Sequence, residues 1–145
     1  MAEYSCGMTA AGAGTSVRPI LSIAGSSTVS GFLRGFWLFN TTATACTYRL
    51  IRYTGGTAGT GQTEIKKRLL APTASLAVAQ LHTADVTLTE DLGYRASLAG
   101  AIGAGAYIPI RGLGIETPTS GTTPGIGLVP VGTGQVCEIG FDWDE

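Results

Sequence analysis

Short runs of alternating hydrophobic and polar residues recur along the chain, separated by turns rich in glycine, threonine, serine and proline. The clearest run is 135–143, where one face would carry Cys137, Ile139, Phe141 and Trp143. Because successive side chains of a strand point to opposite faces, this pattern predicts a strand with one buried face. Few stretches of a dozen residues lack glycine, proline or clustered threonine, so we expect little helix.

A second strong strand is predicted at 32–40, which is apolar on both faces. The alternation places Phe32, Phe36 and Leu38 on one face and Leu33, Trp37 and Phe39 on the other. A strand apolar on both faces is typical of a central position with cover on both sides. The next predicted strand is 44–53, and the link at 41–43 is short enough for a hairpin.

Six further segments have weaker strand patterns: 3–9, 19–23, 77–81, 94–98, 106–110 and 125–131. Pro109 and Pro130 indicate edge positions or strand ends, because proline cannot donate to a ladder of hydrogen bonds. The composition of 54–63 and 116–124 predicts flexible surface loops, and 64–70 is either one helical turn or an irregular strand.

Many short strands separated by turns predict an all-β fold, an antiparallel β-sandwich that is jelly-roll-like, with about eight strands. At 145 residues the chain is expected to form one domain, 1–145.

Charge is scarce in this composition. Charged residues make up 13% of the chain, about half the usual share, and the net charge is −1. This apolar composition argues against disorder and against a charge-rich helical bundle, and it gives no electrostatic sign of nucleic-acid binding. We expect no membrane segment and no secretory signal. A weakly charged surface keeps a free monomer poorly soluble, so the composition favours a protein packed against copies of itself or a partner.

Reactive groups are also sparse, and each has an ordinary interpretation. Cys6, Cys46 and Cys137 are far apart and are expected to be small buried hydrophobic residues. Residues 56–63 resemble a phosphate-binding loop, but glutamine stands where that motif needs lysine. His82 is the single histidine, and no nucleophile elbow accompanies it. The sequence therefore predicts no enzyme, no metal and no cofactor.

The clearest opposite charges are a basic run and an acidic C-terminus: Lys66, Lys67, Arg68, Asp142, Asp144 and Glu145. These six residues form our candidate interface, in which the basic run of one subunit pairs with the acidic end of a neighbour. The alternative is that both are solvated surface segments. A second candidate is a set of aromatic rings that could stack on sugars: Trp37, Tyr48, Tyr53 and Tyr107. Burial in strands or in protein interfaces explains such rings equally.

Three segments carry a resemblance to a known class of protein: 36–68 (FWLFNTTATACTYRLIRYTGGTAGTGQTEIKKR), 94–115 (YRASLAGAIGAGAYIPIRGLGI) and 125–145 (GIGLVPVGTGQVCEIGFDWDE). The first is a strand pair followed by a glycine-threonine loop, and the last is a predicted terminal hairpin. Together they resemble the small all-β virion proteins of tailed bacteriophages, especially capsid decoration (cement) proteins. The resemblance implies a jelly-roll-like sandwich with no catalysis and no cofactor.

The resemblance also implies a location and partners. The protein would belong to a virion assembled in the host cytoplasm, and it would bind the major capsid protein as a homo-oligomer such as a trimer. Flexible loops could order on the partner, and an unpaired edge at 3–9 could add to a neighbour's sheet. Two alternatives remain open, a carbohydrate-binding module of a fibre or adhesin and a tail or neck component of the same virion. Neither nucleic acid nor membrane is an expected partner.

Overall fold

A computed structural model describes residues 2–10, 12–26, 31–67, 74–118 and 123–145. These residues form eleven strands and no helix. The strands are β1 (Glu3–Thr9), β2 (Leu21–Ala24), β3 (Gly31–Asn40), β4 (Cys46–Thr54), β5 (Ala58–Gly61), β6 (Ile65–Lys66), β7 (Val78–His82), β8 (Thr87–Leu98), β9 (Gly105–Ile115), β10 (Pro124–Pro130) and β11 (Cys137–Asp144). The all-β prediction is confirmed.

The strands form two antiparallel sheets. The first sheet has the order β6-β1-β11-β3-β9, and the second has the order β5-β7-β2-β10-β4-β8. Eight of these strands, ordered β1-β11-β3-β9 and β2-β10-β4-β8, have the arrangement of a jelly roll, which confirms the predicted architecture. The three additional strands, β5, β6 and β7, lie between β4 and β8 in the chain and extend both sheets on one side. The predicted number of about eight strands therefore describes the jelly roll without this insertion.

Several strand predictions hold in detail, because alternation is a local property of the sequence. The predicted 3–9 strand has the same bounds as β1, and Cys137, Ile139, Phe141 and Trp143 are all buried. The interpretation of the prolines is also confirmed. Pro109 lies in β9, an edge strand, and Pro130 is the last residue of β10.

Both predicted hairpins are wrong. Residues 41–45 and 131–136 each cross from one sheet to the other, because β3 pairs with β11 and β9, and β10 pairs with β2 and β4. The predicted edge at 3–9 is covered only in part, since β6 pairs with Tyr4 and Ser5, and no strand among the described residues pairs with 6–9 on that side. The predicted loop at 54–63 contains β5, and of 64–70 only Ile65–Lys66 is a strand, with 68–70 outside the described residues.

A bulge at Arg34 changes which side chains of β3 face the core. Gly35 pairs with Asp142, but Leu33 pairs with Trp143, so Arg34 is an extra residue. Leu33 is consequently buried and Phe32 is 42% exposed, the reverse of simple alternation. The expectation of cover on both faces is also wrong, because Phe39 is 41% exposed on the outer face.

The main core lies between the sheets and includes Trp143, Phe141, Phe36, Tyr4 and Tyr48. All three cysteines are buried and free, as predicted. Burial raises the pKa of the Cys6 thiol to about 11 and that of the Cys137 thiol to about 12. Ala2 and Glu145 exchange two backbone hydrogen bonds, so the two ends of the chain meet beside β1 and β11.

Candidate interaction surfaces

The basic run and the acidic C-terminus meet within one protomer. Lys67 Nζ lies 2.7 Å from Asp142 Oδ1, and Arg34 Nη2 lies 2.5 Å from Asp144 Oδ2. The Glu145 carboxylate accepts hydrogen bonds from the Leu76 and Ala77 backbone N–H groups and from the Ser75 hydroxyl. Lys66 is exposed on β6, and Arg68 lies outside the described residues. The carboxylates that we expected to meet a neighbouring subunit therefore already have partners in their own chain.

These charges surround a cleft of about 300 Å³ on the outer face of the first sheet. Its lining includes Glu3, Arg34, Lys67, Tyr107, Asp142 and Asp144. Burial, together with the nearby Asp142 carboxylate, raises the pKa of Tyr107. Asp144 is buried, and its Oδ1 atom has no hydrogen-bond partner among the described residues. The cleft thus combines an aromatic wall with a set of fixed polar groups.

Beside the cleft, three aromatic rings lie flat on the same sheet face. Each ring lies across a glycine of a neighbouring strand: Trp37 over Gly140, Phe39 over Gly105 and Tyr107 over Gly35. A Cβ atom at Gly140 or Gly105 would lie 2.0 Å from the overlying ring, so only glycine leaves room for the ring there. We call Trp37, Phe39 and Tyr107 the aromatic platform.

Sequence reasoning found two of these rings as sugar-stacking candidates but missed the platform. The missed signal is aromatic residues at outward positions of β3, paired across the strands with glycines. This pattern can be recognised only when the pairing register of β3 with β11 and β9 is known. That register sets Trp37 opposite Gly140 and Phe39 opposite Gly105. The other two candidates, Tyr48 and Tyr53, are buried.

One end of the sandwich is formed by loops that contain no charged residue. The loops 12–16, 41–45, 99–104 and 131–136 meet there. In the sequence, the uncharged stretches extend over 10–17, 41–48, 96–110 and 129–137. Ile102 is 76% exposed and Val131 is 46% exposed in these loops. We call this region the uncharged end. At the opposite end lie the chain termini and the charged side chains around the cleft.

Asn40 ties the loops of the uncharged end together. Its side-chain Nδ2 donates to the carbonyl of Thr44 at 2.6 Å and to that of Ala99 at 3.1 Å. Its Oδ1 accepts from the Thr42 backbone N–H at 3.0 Å, and the Thr41 hydroxyl donates to the Val136 carbonyl. Three of the four loops are therefore joined through one turn, which gives the uncharged end a fixed shape.

The histidine lies in a different place, at a cavity of about 180 Å³ on the second sheet. Arg18 and Pro19 line this cavity together with His82. His82 Nε2 lies 3.0 Å from the Tyr53 hydroxyl, and Nδ1 has no partner among the described residues. The nearby Asp85 accepts a hydrogen bond from Thr15. A neutral histidine that shares a hydrogen bond with a buried tyrosine accounts for this arrangement.

We expect His82 to make stability fall as the pH drops below about 6.5, the ordinary histidine pKa. Burial lowers the pKa of His82 in the folded protein. The unfolded chain therefore takes up a proton at a higher pH than the folded one does, and acid favours unfolding. Urea unfolding between pH 8 and pH 5 should show this loss in the wild type and a flatter profile in His82→Gln, whose amide can still bond Tyr53. Equal profiles would contradict the assignment.

Among the described residues, no group of three or more His, Cys, Asp or Glu side chains is placed to hold a metal ion. The part of the chain that the structure describes also contains no helix long and apolar enough to cross a membrane. Comparison with protein-family models gave no match, and no curated protein matched significantly.

Proposed function

We propose that the protein is a non-enzymatic structural protein of a virion, a decoration protein that binds the assembled capsid shell as a homo-oligomer. The observation that carries this proposal is the uncharged end. Ile102 and Val131 are exposed there on loops that Asn40 holds in place. A contact between proteins is depleted of charge at its centre, and apolar side chains exposed on a fixed framework suit such a contact.

The fold and the composition support the same proposal. Jelly rolls recur in viral capsid proteins and in lectins, although a fold alone does not assign a function. With 13% charged residues, the chain has little charge to desolvate when it is covered. On a symmetric lattice, several modest contacts add up to stable attachment, and binding only to the assembled shell stabilises that shell.

The test is cosedimentation of the purified protein with expanded empty shells of the virus that encodes it. We expect saturable binding by the wild type and at least tenfold weaker binding by the double variant Ile102→Asp/Val131→Asp. Each aspartate would place an unpaired charge in the contact, and a tenfold loss corresponds to about 1.4 kcal/mol, less than the usual cost of burying such a charge.

Leu88→Asp is the matched control, because Leu88 is a similarly exposed apolar residue on β8, away from the uncharged end. This variant should bind like the wild type. Binding of the double variant at wild-type strength would contradict the proposal. Recovery of the protein only with tails or necks would contradict binding to the capsid shell and would place the protein in another part of the virion.

A further inference from the structure

The cleft beside the aromatic platform is separate from the uncharged end and has a different chemistry. We propose that this cleft is a binding site for a neutral saccharide, with a pyranose ring stacked on Tyr107 and its hydroxyls bound by the surrounding carboxylates and cations. The site does not depend on the shell-binding proposal, because it uses the outer face of the first sheet rather than the loops.

The first argument is the position of the Tyr107 ring. The residue is 51% exposed, and its ring lies across Gly35, where a Cβ atom would be 2.3 Å from the hydroxyl oxygen and 2.6 Å from Cζ. One face of the ring therefore rests on the backbone and the other is open. The C–H-rich face of a pyranose packs on such a ring, and a ring already held in place loses little freedom on binding.

The second argument is the set of polar groups around that ring. Asp142 is fixed by Lys67, and Asp144 is fixed by Arg34. Carboxylates accept hydrogen bonds from sugar hydroxyls, and the two cations donate to hydroxyl oxygens, in both cases with the added strength of a charged partner. Two of the three carboxylates are neutralised by these ion pairs, and Glu3 leaves the lining with about one negative charge, so the cleft suits a neutral ligand with many hydroxyls better than an anion.

The third argument is an acceptor that lacks a donor. Asp144 is 6% exposed and lines the cleft, yet its Oδ1 has no hydrogen-bond partner among the described residues. Buried polar atoms are nearly always satisfied, so an orphaned carboxylate oxygen calls for a donor that the chain does not supply. A sugar hydroxyl in the cleft would supply one after a small shift of the side chain.

The size of the site sets the length of the ligand. A cleft of about 300 Å³ lies at the lower end of the range for small-molecule sites, roughly 300–1,000 Å³. It can hold one or two sugar rings. Trp37 is the direct cross-strand partner of Tyr107 and lies flat beside it, so further rings of an oligosaccharide can run across the platform.

Isothermal titration calorimetry with neutral hexasaccharides tests the inference, using oligomers of β-1,4-glucose, α-1,4-glucose, β-1,4-mannose and β-1,4-N-acetylglucosamine. We expect at least one to bind the wild type and to bind Tyr107→Ala at least tenfold more weakly. Gly35→Ala should weaken binding to a similar degree, because its Cβ displaces the ring while the tyrosine remains. Tyr107→Phe keeps the ring and should lose about threefold.

Two controls keep the outcome clear. Thermal unfolding should show that Tyr107→Ala is folded, and Ile102→Asp/Val131→Asp should bind the sugar like the wild type, so the two proposals fail independently. Absence of binding to all four oligomers would overturn the inference, as would wild-type binding by both Tyr107→Ala and Gly35→Ala. A third result would also overturn it: the wild type is an oligomer that the sugars do not affect, and Tyr107→Ala is a monomer. The aromatic platform would then be a contact between copies of the chain.

Discussion

Replacing Trp143 by alanine is expected to lower the free energy of unfolding by about 4 kcal/mol, the usual cost of truncating a large buried aromatic residue. Trp143 is 1% exposed and stacks on Tyr4, with 5.9 Å between ring centroids. Its indole N–H also donates to Ser75 Oγ at 3.2 Å and to Glu145 Oε1 at 3.1 Å. The alanine variant loses both the packing and the link between β11 and the segment leading into β7.

Urea unfolding of Trp143→Ala and Trp143→Phe separates these two contributions. The phenylalanine variant keeps a six-membered ring in the core but loses the N–H donor and the volume of the five-membered ring, so we expect a loss of about 2 kcal/mol. Hydrogen exchange should become faster at 75–77 in both variants, because Glu145 also binds the backbone of Leu76 and Ala77. A loss in the alanine variant no larger than in the phenylalanine variant would show that ring packing contributes little.

The second large effect is expected from Asn40→Ala, with a loss of about 3 kcal/mol. Asn40 is 1% exposed, and its removal leaves the carbonyls of Thr44 and Ala99 and the Thr42 N–H without their partner. Each buried polar group left unsatisfied costs about 1–3 kcal/mol, partly offset where water reaches the loops.

Thr42→Ala is the matched control for this variant, because it removes one hydroxyl that bonds the same Asn40 side chain. It should cost about 1 kcal/mol or less. Binding of Asn40→Ala to shells should weaken even at temperatures where the variant is folded, because the loops that carry Ile102 and Val131 lose the hydrogen bonds that hold them together. Thermal unfolding and cosedimentation measure the two effects, and unchanged values in both assays would contradict the role of Asn40.

The elements of this fold could be predicted because alternation is local, whereas the connections could not. Residues 41–45 are as short as a hairpin loop, yet they cross between the sheets. Loop length does not distinguish the two cases, because the outcome depends on which distant strands flank β3. Those strands are β11 and β9, which begin 97 and 65 residues after the end of β3, at Cys137 and Gly105 against Asn40.

The candidate site could also be predicted only in part, because its residues are visible in the sequence but the strand pairing that brings them together is not. The opposite charges of Lys67 and Asp142 could be recognised from the sequence, and they do meet. That they meet within one chain depends on β6 pairing with β1 and β1 pairing with β11, which no local pattern reveals. The exposure of Phe32 depends on a single extra residue, Arg34, and alternation cannot anticipate a bulge.

The meeting of the two chain ends has a practical consequence. Because Ala2 and Glu145 are hydrogen-bonded neighbours at the end opposite loops 41–45 and 131–136, a peptide fused to either would project away from a shell bound through those loops. The same closeness means that a short linker could join the ends and that the chain could be reopened elsewhere. A peptide fused at either end would therefore leave the loops of the proposed shell contact uncovered.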